Sequence, residues 1–354
     1  MIRAMIQNET IRYLRNTAYA LMLIAACGCT PMTPDDGGSD NGPDTPTAPE
    51  WREAFPTSGE GFLSGVWGSG PDDVFVVGGQ PEQSVIFHYD GATWETMDTP
   101  DTPILIWAFG FGPDDVYAVG EQGTALHYDG SSWSQMSTNT EDDLWGVWGA
   151  APDDIWAVGG EIDTGPPILL HYDGQSWSQQ TVPPLDRNST ALLKIWGTSS
   201  DHIFAVGQTG VILEYDGSDW QQIDAGTADD LVSLWGNGPD EIVAVGGRSN
   251  ATIATYDGTK WTSRSAAPLP GLNGVFPIDA NQYLVGGLIG SAAVYNFTTD
   301  EFKTETTTTI QTIHAVWNDG ANKTYAVGGR SSATPYTGVA LMRTTTDEAT
   351  KLIP

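Results

Sequence analysis

The chain has 354 residues, with 14 Lys and Arg against 45 Asp and Glu, a formal charge of −31 and an isoelectric point near 4.1. Such a charge repels nucleic acid and anionic lipid surfaces, and no Lys or Arg falls between Arg52 and Arg187, so DNA and RNA are excluded as partners. The only cysteines, Cys27 and Cys29, lie near the N-terminus, so no disulfide can brace the rest of the chain and no thiol there can serve catalysis.

Residues 1–26 read as an export signal. Arg3, Arg12 and Arg15 form a basic start, and Thr17 to Ala26 form an apolar run too short to span a bilayer. The run ends in Ile24-Ala25-Ala26-Cys27, which resembles the lipobox of bacterial lipoproteins. That resemblance implies cleavage before Cys27 and lipid attachment to its thiol. The competing reading is an ordinary secretory signal cut nearby. A lipobox shifted to Cys29 fits less well, because Ala26 then stands where a large aliphatic residue is usual. Residues 27–50 are rich in Pro, Asp, Gly, Thr and Ser and have almost nothing to bury, so after the lipidated Cys they read as a disordered acidic tether. Asp35, Asp36, Asp40 and Asp44 lack the spacing of a calcium loop.

The remainder, residues 51–354, is repetitive. An aromatic after a short apolar run recurs at Trp67, Phe109, Trp148, Trp196, Trp235, Phe276 and Trp317, at steps of 42, 39, 48, 39, 41 and 41 residues. A fixed period in this range means stacked supersecondary units. In the first unit Leu63–Trp67, Val74–Val77, Val85–Tyr89 and the stretch opening at Trp94 read as strands a to d, separated by Gly-Pro-Asp-Asp and Asp-Gly turns. The Asp-Gly pair favours a two-residue hairpin turn and recurs at Asp129, Asp173, Asp216 and Asp257. The pattern predicts an all-β, seven-bladed β-propeller. Trp51 lies 16 residues before Trp67, as a strand-d aromatic should, and precedes any a, b or c strand. Residues 51–56 are therefore expected to complete the last blade, whose other strands are Ile313–Trp317, Thr324–Val327 and Gly338–Arg343, with Glu348–Ile353 as the rival outer strand.

The order of an apolar run, Gly-Gly, Tyr and Trp (Val74–Gly79, Tyr89, Trp94) resembles kelch repeats of galactose-oxidase-type propellers, with a shorter Tyr-to-Trp spacing. The Asp-Gly-x-x-Trp piece is similar to the Asp-box of sialidase-type propellers but is one residue short. The whole unit most resembles the V-W-G-x-G-P-D-D-V-W-A-V-G repeats of bacterial exported lipoproteins, a group largely without assigned activity. The resemblance implies fold and an envelope location, on the outer membrane or cell surface, and little chemistry.

Short, uniform a–b and c–d turns fall on one face of such a ring, and variable b–c and d–a loops fall on the other, where binding residues are expected. Trp107, Trp145, Lys194 and His314, near the start of strand a, are the candidate ligand contacts at the channel mouth, by stacking and a polar anchor. The bland alternative is that Trp107 and Trp145 only pack between blades. Asp72-Asp73 and their repeats read as turn residues whose carboxylates bind backbone N–H groups. His88, His127 and His171 are positional echoes that fan away from the axis, so they make no zinc site. No cofactor is implied, and calcium on the acidic face has no motif behind it. The first half of the ring has no Arg cluster for sialidase-like chemistry, and the ring has no Cys for a galactose-oxidase-like copper site. The expected role is a monomeric, lipid-anchored module binding an envelope protein, with polysaccharide second. The alternative is a carbohydrate-active enzyme using loop carboxylates such as Glu161, Asp163 and Asp186.

Overall fold

The computed structural model describes residues 50–344, and the proposed lipidation site Cys27, the tether and Glu348–Ile353 lie outside them. Within that span the strands form seven antiparallel four-stranded sheets, each in the order a-b-c-d. In blade 1 these are Phe62–Gly70, Asp73–Gln80, Gln83–Tyr89 and Trp94–Thr96. The inner strands of blades 2–7 are Leu105–Gly112, Leu144–Ala151, Leu192–Ser199, Leu231–Gly238, Leu272–Asp279 and Thr312–Asn318. Each inner strand contacts the inner strands of both neighbouring blades, so the sheets close into a ring. Among the described residues no helix is long and apolar enough to cross a membrane.

Two interlocks join the blades. Near the axis, the indole of one blade occupies the place of a side chain in the next. A Cβ on Gly110 would lie 2.8 Å from Trp67, on Gly197 2.9 Å from Trp148, on Gly236 2.5 Å from Trp196, and on Gly68 2.8 Å from Trp317. Where the preceding aromatic is the shorter Phe109, Phe111 fills the space over Gly149 instead. After Phe276 the next blade has Asn318 rather than Gly. Further out, the strand-d indole packs on the strand-b aromatic of the preceding blade: Trp94 on Tyr325, Trp133 on Phe75, Trp220 on Trp156 and Trp261 on Phe204. Each buried indole contributes about 2–3 kcal/mol through area removed from water.

The N-terminal segment closes the ring. Arg52–Glu53 pairs with the last blade's third strand, Thr337–Thr344, in the register Arg52 to Met342 and Glu53 to Leu341, and the Ala54 N–H donates to Ala340 O at 2.9 Å. Trp51 takes the strand-d position, buried beside Leu284 of blade 6, and its Nε1 donates to Glu305 Oε2 at 2.9 Å. Arg343, itself buried, reaches Glu305 at 3.3 Å and lies against the same indole.

The turns differ from expectation in chemistry. The c–d connection is a four-residue loop rather than a two-residue turn, because Tyr89 pairs with Trp94 and only Gly91 has positive φ (91°). Asp90 Oδ1 accepts the N–H groups of Ala92 and Thr93, a side-chain turn repeated at Asp129, Asp173, Asp216 and Asp257. The Ser131 and Thr259 hydroxyls at Asp129 and Asp257, together with these backbone bonds at all five, hold the Asp carboxyls below the usual range, Asp129 down to about 2. The backbone-binding carboxylates thus belong mainly to the c–d loop. In the a–b turn, Asp73, Asp115 and Asp154 instead hold His88, His127 and His171 at 2.7, 2.8 and 2.9 Å, each His lying on its blade's strand-b aromatic.

The inner interlock sets a stability expectation. Gly236→Ala should cost about 1–3 kcal/mol in denaturant unfolding through overpacking against Trp196. In the Trp196→Phe/Gly236→Ala double variant the loss should be less than additive. Additive losses, within about 0.5 kcal/mol, would show that the two residues do not share the space.

Candidate functional site

The variable-loop face meets the channel where every inner strand has an irregularity. A register shift falls at Ser64, Ile106, Trp145, Leu193, Val232, Asn273 and His314, the same position in each of the seven blades. A bulge leaves one residue unpaired and re-aims its side chain. Seven bulges therefore present seven side chains at one level of the ring.

On one side that level is closed by apolar packing. Phe62, Ile104, Ile106 and Tyr336 form one buried cluster, Ile162, Ala191 and Leu193 another, and half-buried Trp145 joins both. Trp145 Nε1 donates to Gly160 O at 3.0 Å, which fixes the ring. The other side is polar. The Ser64 hydroxyl donates to Leu105 O at 2.6 Å, while His314 lies edge-on to Phe62 at 4.6 Å with Asn273 Nδ2 3.5 Å from its Nδ1. His314 keeps some surface in the channel, yet protein surrounds it, and burial pushes its imidazole down to about 4. It is neutral at ordinary pH.

One position deeper, Lys194 and Trp107 meet although blade 3 separates their blades. Lys194 Nζ stands 3.1 Å from the Trp107 ring centroid, and Gly146, at the same position in blade 3, leaves the room. Both side chains are buried. Among the described residues no carboxylate is paired with Lys194, and burial holds its amine well below the ordinary lysine range, with the indole face partly compensating any charge. The four residues expected at the mouth therefore separate: Trp107 and Lys194 fill the interior together, Trp145 joins the plug, and His314 sits against blade 1.

The loops around blades 2 and 3 hold a feature that sequence spacing did not bring forward. Asp143 precedes blade 3 and accepts the Gln122 N–H of blade 2's b–c turn at 3.0 Å. Asp230, before blade 5, does the same for Thr209 at 2.9 Å and is neutralised by Arg248 at 2.7 Å. In blade 3 the residue after the Gly-Gly pair is Glu161, where blade 5 has Arg248. Glu161 Oε2 is buried without a hydrogen bond. Burial and the Asp143 charge push Glu121 up to about 7, and burial raises Asp143 and Glu161 as well. Comparing the Gly-Gly-Arg and Gly-Gly-Glu repeats is the signal that could have found this cluster. Asp163 and Asp186, grouped with Glu161 by sequence, are exposed, and neither is among the charges acting on it. No group of three or more His, Cys, Asp or Glu placed to hold a metal occurs among the described residues.

The opposite mouth, on the short-turn face, is a depression of about 400 Å³ lined in part by Gly68, Phe276, Pro277, Trp317 and Asn318.

Seven sheets around an axis, with an aromatic circuit and a bulged inner level, define a seven-bladed β-propeller. No family model and no curated protein matches the chain. Among solved structures it is similar to YCF48 bound to a D1 peptide, with a TM-score of 0.60 and 15% identity over 84% of this chain and 97% of that one. It is also similar to YCF48 from Cyanidioschyzon merolae, with a TM-score of 0.62 and 14% identity over 83% and 98% of the two chains. At that identity the likeness concerns the fold.

The acid cluster gives a pH expectation. A folded-state carboxyl at about 7, against 4.5 for the free group, stabilises the fold fully below pH 4.5 and loses that contribution as pH rises through 7. Glu121→Gln should thus raise stability at pH 8 by about 1–2 kcal/mol, allowing for solvent screening of a half-buried group, and leave it nearly unchanged at pH 4. Thermal unfolding at the two pH values checks this, and an equal effect at both would contradict it.

Proposed function

We propose that the chain is a lipid-anchored β-propeller that binds a protein partner at the bacterial cell envelope. The observation that carries this reading is the position of the two ends of the described chain. Blade 7's third strand runs out to Thr344 on the short-turn face, and Arg52–Glu53 starts from that same face. A tether from Cys27 then meets the ring on the side of the uniform turns, and the variable loops face away from the anchor. That arrangement suits presentation of the loops to a partner.

Other features support it. Seven interlocked sheets build a rigid scaffold, and YCF48, a structural neighbour, is described bound to a peptide. The channel interior around Lys194 and Trp107 is filled, so ligand contacts are expected on the loops and on the exposed parts of Trp145 and His314 rather than deep in the channel. A carbohydrate-active reading draws on Glu121, whose carboxyl near 7 suits a general acid. We favour binding because the Asp143 at its side is committed to holding the Gln122 turn.

Two measurements check the proposal. Cys27→Ser should abolish incorporation of labelled fatty acid and move the protein out of the membrane fraction, and retained label would overturn the anchor. Cross-linking of the full chain in envelope extract should join partner peptides to the b–c and d–a loops. Release of cleaved sugar from envelope polysaccharide, lost in Glu121→Gln, would favour the enzyme instead.

A further inference from the structure

The loop face is divided electrostatically. Around blades 1–4 its loops hold carboxylates such as Glu82, Asp101, Glu121, Asp142, Glu161 and Asp229. Around blades 5–7 the loops 247–251, 266–271, 288–291, 306–311 and 330–336 contain no Asp or Glu, in a chain with 45 of them, and they contain Arg248 and Arg330, while the loop 54–61 that leaves blade 7 carries Glu60. The same sector carries the two large hydrophobic side chains that stand exposed among the described residues, Ile289 at 49% and Ile310 at 87%.

These groups are linked neighbours. The turn Leu288–Gly290 rests on residues 307–309, with the Thr307 hydroxyl donating to Gly290 O at 2.6 Å, so the two loops bearing Ile289 and Ile310 are joined. Leu288 N–H donates to Gly271 O at 2.9 Å, and Gly271 in turn touches Gly247, next to Arg248. On the other flank Arg330 pairs with Thr337, whose hydroxyl bonds Gln311 at 3.2 Å, next to Ile310. Arg330 is exposed, and the Arg248 side chain is 54% exposed even while it holds Asp230.

Ile289 is also conformationally costly. Its φ is 53°, in the left-handed region that a β-branched residue rarely enters. The same turn in blades 2 and 4 places polar Gln122 (55°) and Thr209 (57°) there. An exposed aliphatic residue gains nothing from the core in return for that backbone.

We infer that this sector is the docking patch for an extended protein segment carrying an apolar side chain beside a carboxylate. The apolar group meets Ile289 and Ile310, and the carboxylate, from Asp, Glu or a chain terminus, meets Arg330 on the flank beside Ile310. Charge selects this occupant, since in a molecule of −31 an acidic segment is repelled almost everywhere else on the loop face, whereas a basic one is drawn to blades 1–4. The inference rests on the protein-binding reading and gives it a place and a partner chemistry.

The test uses a displayed library of random peptides of about 12 residues, selected on the full chain, with affinities then read by fluorescence polarisation. Selected sequences should place an apolar residue next to Asp, Glu or the C-terminus. Ile289→Ser/Ile310→Ser and Arg330→Glu should each weaken them by about tenfold or more. Ile289→Asn should lose affinity while melting no lower than the parent, because Asn tolerates this backbone, which separates loss of the patch from loss of the fold. Peptides that bind the parent and these variants equally, or a selection dominated by Lys and Arg, would overturn the patch and leave protein binding standing. A parent chain that retains no peptide would overturn both.

Discussion

An indole of one blade occupies the space where the next blade's side chain would stand, and the rest of the structure depends on that overlap. Trp317 over Gly68, Trp67 over Gly110, Trp148 over Gly197 and Trp196 over Gly236 tie four inner strands to the blade before each of them. Sheets of four short strands have two open edges and little core of their own. Coupled to neighbours on both sides and closed on themselves, they lose the weakly held end blades of an open repeat array. The contact of Trp317 with Gly68 spans the junction of last and first blades, so the circuit and the N-terminal strand secure the same seam.

Closure also sorts the faces. Because the ends of the described chain meet in blade 7 on the short-turn side, the other face is free to vary, and its loops differ in length, charge and polarity. The bulge near the start of every inner strand is the one regular feature there, and its seven side chains are all different. Scaffold and recognition are thus carried by different residues of one repeat.

The ring was legible because its determinants are periodic. Trp67 and its six counterparts mark the blades, and Trp51 at strand-d spacing marks the seam. Other features depend on cross-strand register or on contacts around the axis, which no linear spacing contains. The pairing of His88 with Asp73 needs the register of strands b and c. The glycine after five of the seven ring aromatics reads locally as a strand end, and its partner is in the blade before. Trp107 and Lys194 lie near the start of strand a, but whether such side chains stay open at the mouth or fill the channel depends on Gly146 between them. The isoleucine pair of blade 6 is visible only when Ile289 is laid against Gln122 and Thr209 and its exposure is known.

The claim that the blades form one closed circuit is tested most directly by native-state hydrogen exchange at the seam. The Ala54 N–H, bonded to Ala340 O, should exchange as slowly as amides in the middle strands of blade 3 and open with them in one cooperative step. Rapid exchange of Ala54 and its neighbours while blade 3 stays protected would mean that the ring is open at the junction, and the account of its stability would fail.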